Sequence, residues 1–178
     1  MLSIPYPSLL RIAGTVQDSI VDGPGLRYVI FTQGCPHHCE GCHNPQTHDF
    51  EAGEPADVEL ILEQIRANQI ISGVTISGGE PFCQAKALVP LAEAIKAQGK
   101  HLMIYTGYLY EELLNEGDAY CKRLLELADI LVDGPFVLKQ RNLTLPYRGS
   151  ENQRVIDLVK TRQSGQIVFY QSEYDMLF

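Results

Sequence analysis

The chain is predicted to be an α/β protein, a partial, open (β/α) barrel with a mostly parallel sheet and its ligand site at the strand C-terminal ends. Three observations predict this. Short apolar runs rich in β-branched residues alternate with helical patterns, the order expected of parallel β/α units. At 178 residues the chain falls short of a closed eight-unit barrel, which needs ~250. Polar or glycine-rich motifs follow Phe31, Ile76, Tyr105 and Val132, so separate segments converge on one rim, the end at which α/β folds place ligands.

Leu9 to Val16 reads as a first extended piece, and Asp22-Gly23-Pro24-Gly25 is a turn by composition. Together they make an N-terminal extended segment, residues 9–25. Leu26 to Thr32 is a short apolar strand that runs directly into a loop rich in Cys, Gly, Pro and His. Asp57 to Ala67 is a helix, with Asp57 placed to cap it and Val58, Leu60, Ile61 and Ile65 as its apolar face. Gly73 is expected to end that element before the strand Val74-Thr75-Ile76, which exits through Ser77-Gly78-Gly79-Glu80-Pro81. A second helix spans Ala85 to Ala97, with Leu88, Leu91, Ala92 and Ile95 inward and Gly99 as its stop. His101 to Tyr105 is the next strand, closed by Thr106-Gly107. Short helices follow at Tyr110 to Asn115 and Ala119 to Leu127. Ile130-Leu131-Val132 is the fourth central strand, closed by Asp133-Gly134-Pro135-Phe136. Arg148 to Arg154 is a polar loop, a helix is expected around Val155 to Lys160, and Gln166 to Gln171 suits an edge strand. Residues 1–178 are read as one domain, with 158–178 as a tail.

A net charge of −8 argues against a non-specific grip on nucleic acid. No run is long and apolar enough to span a bilayer, and Met1 to Pro7 lacks the basic start and apolar stretch of a signal peptide, so the expected location is cytoplasmic. Five cysteines fit poorly with a disulfide framework. Cys83 and Cys121 stand apart from the others and read as small buried hydrophobes.

The chemistry concentrates in Gly34-Cys35-Pro36-His37-His38-Cys39-Glu40-Gly41-Cys42-His43. Cys35, Cys39 and Cys42 make three soft ligands, which favour iron–sulfur clusters, zinc or copper over hard cations. A [4Fe–4S] cube held by three of them keeps one corner open. A zinc site would recruit His37, His38 or His43 as a fourth ligand, and a thiol-redox role is the remaining alternative. Gly78-Gly79-Glu80 lies on the same rim. Its glycines permit close main-chain approach, and Glu80 offers acceptors to an ammonium group. Thr106 and Gly107 are further pocket candidates, with a plain turn as their alternative. Arg148 and Asn152 supply donors. Their alternatives are a surface ion pair for Arg148 and a helix cap for Asn152.

These residues carry a resemblance. The Cys-x3-Cys-x2-Cys run and Thr75-Ile76-Ser77-Gly78-Gly79-Glu80-Pro81 resemble the two defining motifs of the radical S-adenosylmethionine superfamily. Asp22-Gly23-Pro24-Gly25-Leu26-Arg27, Gln33-Gly34-Cys35, His43-Asn44-Pro45-Gln46-Thr47, Tyr105-Thr106-Gly107-Tyr108 and Val132-Asp133-Gly134-Pro135-Phe136 are similar to its glycyl-radical-enzyme activases. The resemblance implies a radical S-adenosylmethionine oxidoreductase of the barrel type described above. It implies one [4Fe–4S] cluster on Cys35, Cys39 and Cys42, and S-adenosylmethionine held by Gly78, Gly79, Glu80, Thr106, Gly107, Arg148 and Asn152. No acid–base residue is implied, because the cluster and cofactor carry the chemistry. The implied partners are a flavodoxin-like or other low-potential electron donor and a large glycyl radical enzyme. Arg148-Gly149-Ser150-x-Asn152-Gln153-Arg154 favours anaerobic ribonucleoside-triphosphate reductase as that enzyme. Pyruvate formate-lyase, or a small metabolite as substrate, is the alternative.

Overall fold

The computed structural model describes residues 9–171; Met1 to Pro7 and the end of the 158–178 tail lie outside them. The strands are β1 (Arg11–Ser19), β2 (Arg27–Thr32), β3 (Glu54–Pro55), β4 (Gly73–Gly78), β5 (His101–Tyr105), β6 (Ile130–Asp133) and β7 (Arg154–Asp157). They form one open sheet in the order β3-β1-β2-β4-β5-β6-β7. The helices are α1 (Val58–Ala67), α2 (Ala85–Ala97), α3 (Tyr110–Glu116), α4 (Ala119–Leu127) and α5 (Leu158–Ser164).

The central strands β2, β4, β5 and β6 are parallel, as the β/α alternation predicts. The flanks are not. β1 pairs antiparallel with β2 and β3, and β7 pairs antiparallel with β6. The sheet is therefore mixed rather than mostly parallel. The connections explain the difference. β1 reaches β2 through the tight turn at Asp22 to Gly25, and β7 follows β6 with no crossover helix, whereas a parallel neighbour requires a crossover.

Strand alternation divides the sheet into two faces. Tyr28, Ile30, Val74, Ile76, Leu102, Ile104, Leu131 and Ile156 share one apolar cluster with Ile61 and Ile65 of α1, Leu88, Leu91, Ala92 and Ile95 of α2, Leu113 of α3, Leu124 of α4 and Leu158 of α5. The other face carries a smaller cluster of Met103, Ile130, Val132 and Val155, packed by Tyr105, Tyr147 and Tyr170. Helices cover one side, and the opposite side is left for a cavity.

Several local expectations are corrected. Leu60 is 48% exposed, because the helical period that buries Ile61 and Ile65 turns Leu60 outward. Gly73 opens β4 rather than closing α1; α1 ends at Ala67, and the Asp57 side chain accepts from Leu60 N at its start. The helix expected around Val155 begins only at Leu158, because Val155 and Ile156 pair with Val132 and Leu131 in β7. The edge strand expected near Gln166 to Gln171 is a single bridge, Phe169 to Ile156. It is supported by Asp157 N to Val168 O at 2.9 Å and Tyr170 N to Val155 O at 2.8 Å. No helix among the described residues is long and apolar enough to cross a membrane.

Leu91 is 1% exposed, at the centre of the helical face. Leu91→Ala is expected to destabilise the protein by about 2–5 kcal/mol, and Leu60→Ala by about 0.5 kcal/mol or less. Urea unfolding followed by circular dichroism checks the contrast.

Candidate functional site

A cavity of about 530 Å³ lies at the C-terminal ends of the parallel strands. Its wall includes Cys35, Cys39, Cys42, Gly78, Gly79, Thr106, Gly107 and Arg148. Of the residues singled out from sequence, Glu80 and Asn152 stand behind that wall rather than on it.

The cysteine loop leaves β2 on an anchored path. Gln33 N donates to Arg11 O (3.0 Å), Gly34 N to Thr47 O (2.8 Å) and Cys35 N to His48 O (3.1 Å). The Gln33 side chain donates to Gln46 O and Asp49 O, which gathers the far end of the loop. Cys42 N donates to Cys39 O at 3.1 Å, and Asn44 N approaches Cys42 Sγ at 3.4 Å. Burial pushes the Cys35 thiol up to about 11, so a bound metal must displace its proton.

The loop histidines each have a close neighbour, and His37 and His43 also line the cavity. His37 Nε2 meets Glu80 Oε2 at 2.7 Å, His38 packs edge-on against His48, and His43 lies 4.9 Å from the Phe136 ring. Among the described residues no group of three or more His, Cys, Asp and Glu side chains converges on one ion. Cys35, Cys39 and Cys42 open on the shared cavity, a donor set that suits a [4Fe–4S] cube with one open corner. Cys83 and Cys121 are buried, as expected.

Glu80 is fully buried. Its Oε1 accepts from Phe82 N (3.0 Å) and Thr106 Oγ1 (2.9 Å), and its Oε2 accepts from Gly107 N (2.8 Å) besides facing His37. The glycines around it serve close approach between protein segments. A Cβ on Gly79 would sit 2.3 Å from Gly34 O, one on Gly78 2.6 Å from Thr32 N, and one on Gly107 2.4 Å from the His37 ring. Gly78 also takes a positive φ of 98°, which favours glycine. The sequence indicated close approach at Gly78 and Gly79; the neighbour that requires it is the cysteine loop and the strand that feeds it.

The opposite wall comes from the loop before β7. Arg148 Nη1 donates to Gln153 O at 2.7 Å, and its buried Nε has no hydrogen-bond partner among the described residues. Asn152 donates to Pro135 O at 2.8 Å, tying the loop to the β6 exit instead of capping a helix. Gln153, which sequence reasoning passed over, organises the turn. Its Oε1 accepts from Gly149 N (3.0 Å) and Ser150 N (3.2 Å), and its Nε2 donates to Gly134 O (3.1 Å). Only its place inside the Arg-Gly-Ser-x-Asn-Gln run signalled it. Asp133, also buried, is gripped by Arg154, which reaches on to Glu111. These carboxylates raise the Arg154 guanidinium above its ordinary range.

Comparison with known proteins agrees with this geometry. Residues 21–156 match the family described as a 4Fe-4S single cluster domain. The chain is 35% identical over 144 residues to the anaerobic ribonucleoside-triphosphate reductase-activating protein of Escherichia coli K12, covering 76% of this chain and 91% of the relative. It is 31% identical over 148 residues to the protein of the same description from Haemophilus influenzae, covering 75% and 89%. It is also 36% identical over 133 residues to the pyruvate formate-lyase-activating enzyme of Clostridium pasteurianum, covering 70% of this chain and 55% of that one.

The thiol arrangement makes a direct prediction. Anaerobic reconstitution is expected to load roughly four irons and four sulfides per chain, with Cys35→Ala, Cys39→Ala and Cys42→Ala each losing the stable cluster. Cys83→Ala and Cys121→Ala should retain it. Iron and sulfide analysis with electron paramagnetic resonance reads the result, and tight stoichiometric zinc with no reducible centre would contradict it.

Proposed function

The chain belongs to the radical S-adenosylmethionine superfamily, in the glycyl-radical-enzyme activase group with the anaerobic ribonucleoside-triphosphate reductase-activating proteins, and from that premise we propose that it installs the glycyl radical on such a reductase. The observation that carries the proposal is the cavity wall that unites Cys35, Cys39 and Cys42 with Gly78, Gly79, Thr106, Gly107 and Arg148. When bound, the cluster and S-adenosylmethionine would supply radical chemistry: one electron from the donor would break the C5′–S bond of the sulfonium, releasing methionine, and the 5′-deoxyadenosyl fragment would take a hydrogen atom from a partner glycine Cα to leave 5′-deoxyadenosine and the glycyl radical.

The residues of the chain do the holding. Cys35, Cys39 and Cys42 would each bind one iron. The Gly78-Gly79 segment would lie beneath the methionine end of the cofactor, with Thr106 and Gly107 beside it. Glu80 would act on the ammonium from behind the wall, because its oxygens already accept from four donors. The Arg148 guanidinium, with Nε unpartnered, is suited to the cofactor carboxylate or to partner main chain. Asn152 would support Arg148 by fixing its loop to Pro135.

An external low-potential donor of flavodoxin type is part of the proposal, since Cys83 and Cys121 are buried and offer no second cluster for internal relay. So is a cytoplasmic location, where thiols stay reduced.

Mixing anaerobic reductase, S-adenosylmethionine, reductant and the loaded protein is expected to give a glycyl doublet in electron paramagnetic resonance. A doublet on pyruvate formate-lyase instead would reassign the partner, and deoxyadenosine without either radical would point to a metabolite substrate. Arg148→Ala is expected to keep the iron content and weaken S-adenosylmethionine about tenfold or more by calorimetry. Unchanged affinity and unchanged activation would remove Arg148 from the site.

A further inference from the structure

Glu80 joins segments that the sequence keeps apart. Phe82 N comes from the turn after β4, and Thr106 Oγ1 and Gly107 N come from the exit of β5. The remaining donor, His37 Nε2, comes from inside the cysteine loop, between Cys35 and Cys39. A proton on Nε2 satisfies the contact, since the carboxylate can only accept.

The imidazole is confined on its other sides as well. Its ring meets Tyr108 edge-on, with centroids 4.5 Å apart. The Gly107 backbone comes so close that a Cβ there would lie 2.4 Å from the ring. The backbone bonds of Gly34 and Cys35 fix where the loop begins. Between Cys35 and Cys39, the His37 to Glu80 contact is the side-chain hydrogen bond that ties the loop to the rest of the rim.

We propose that His37 is a positioning residue: by donating Nε2–H to the buried Glu80, it sets the pose of the cysteine loop, and thus of the open cluster corner, against the Gly78-Gly79 side of the cofactor pocket. Its ring also borders the cavity; the role proposed for it runs through the loop and the Glu80 contact. The inference rests on the proposed cofactor reading, and it makes one claim that does not: the tether exists in the protein before any cofactor binds.

Three substitutions separate the possibilities. Glutamine places a donor near the Nε2 position, asparagine only near Nδ1, and alanine supplies none. His37→Ala and His37→Asn are expected to load iron and sulfide like the parent protein. Their S-adenosylmethionine affinity should fall about tenfold or more by calorimetry, as the loss of a charge-assisted hydrogen bond predicts. The change that S-adenosylmethionine produces in the reduced-cluster resonance should be lost or broadened. His37→Gln should restore both. In cluster-free protein, amide hydrogen exchange at residues 37, 38 and 106–108 should quicken in His37→Ala and recover in His37→Gln. Parent-like binding, resonance and exchange in His37→Ala would overturn the proposal. Cluster loss in His37→Ala and His37→Gln alike would also overturn it, by making the imidazole a requirement for the cluster itself. A parent protein with no reducible cluster would instead count against the cofactor reading, while the exchange experiment would still decide the tether.

Discussion

A carboxyl group with no exposure to water must find its hydrogen-bond partners inside the protein, and the rim of this molecule is organised by how Glu80 does so. Its donors come from the turn after β4, the exit of β5 and the cysteine loop. Removing any one of them takes a hydrogen bond from a buried acid, which costs about 1.5–3 kcal/mol when the acid is charged. The penalty couples the segments, so that the cysteine loop cannot shift independently of the strand exits it faces.

That coupling works because the sheet delivers the exits to one level. Thr32 pairs with Gly78 at the ends of β2 and β4, and Tyr105 pairs with Val132 at the ends of β5 and β6. Glycine then lets the connecting segments touch. Gly79 against Gly34, and Gly107 against His37, are contacts that any Cβ would prevent. The antiparallel flanks complete the frame. β1 receives Gln33 N at Arg11 O, and the loop leading into β7 brings Arg148 and Gln153 to the opposite wall.

Much of this was legible in the sequence, for local reasons. α2 has a long 3.6-residue period, and its bounds and its inward residues Leu88, Leu91, Ala92 and Ile95 agree with the reading. The cysteine spacing and the glycine runs marked the rim. What escaped was decided by partners distant in sequence. Val155 and Ile156 are compatible with a helix until β6 offers them ladder bonds. Leu60 has the right hydropathy for a core but the wrong angle about α1. The cofactor-facing reading of Glu80 could not anticipate its internal donors, because Thr106 and His37 are remote from it along the chain. Gln153 was missed for the same reason: an amide that bonds Gly134 from a polar loop has no periodic signature.

The two faces of the sheet divide the physical tasks. Helices bury the broad apolar cluster on one side, where close packing supplies stability. The other face has a small cluster capped by tyrosines, and Tyr105 Oη donates to Tyr147 O at 2.7 Å to hold the wall that carries Arg148. Tyr147 takes a positive φ of 60° at that point, an unfavourable conformation for a residue with a side chain. The strain lies between the hydrogen bond of Tyr105 and the bond of Arg148 to Gln153, so both neighbours constrain it. Backbone strain persists only where its surroundings over-determine it, and here they do so beside Arg148 Nε, a buried nitrogen without a hydrogen-bond partner among the described residues. The fold therefore concentrates its constraints at the rim: on one wall Glu80 ties His37 of the cysteine loop to the strand exits, and on the other Gln153 holds Arg148.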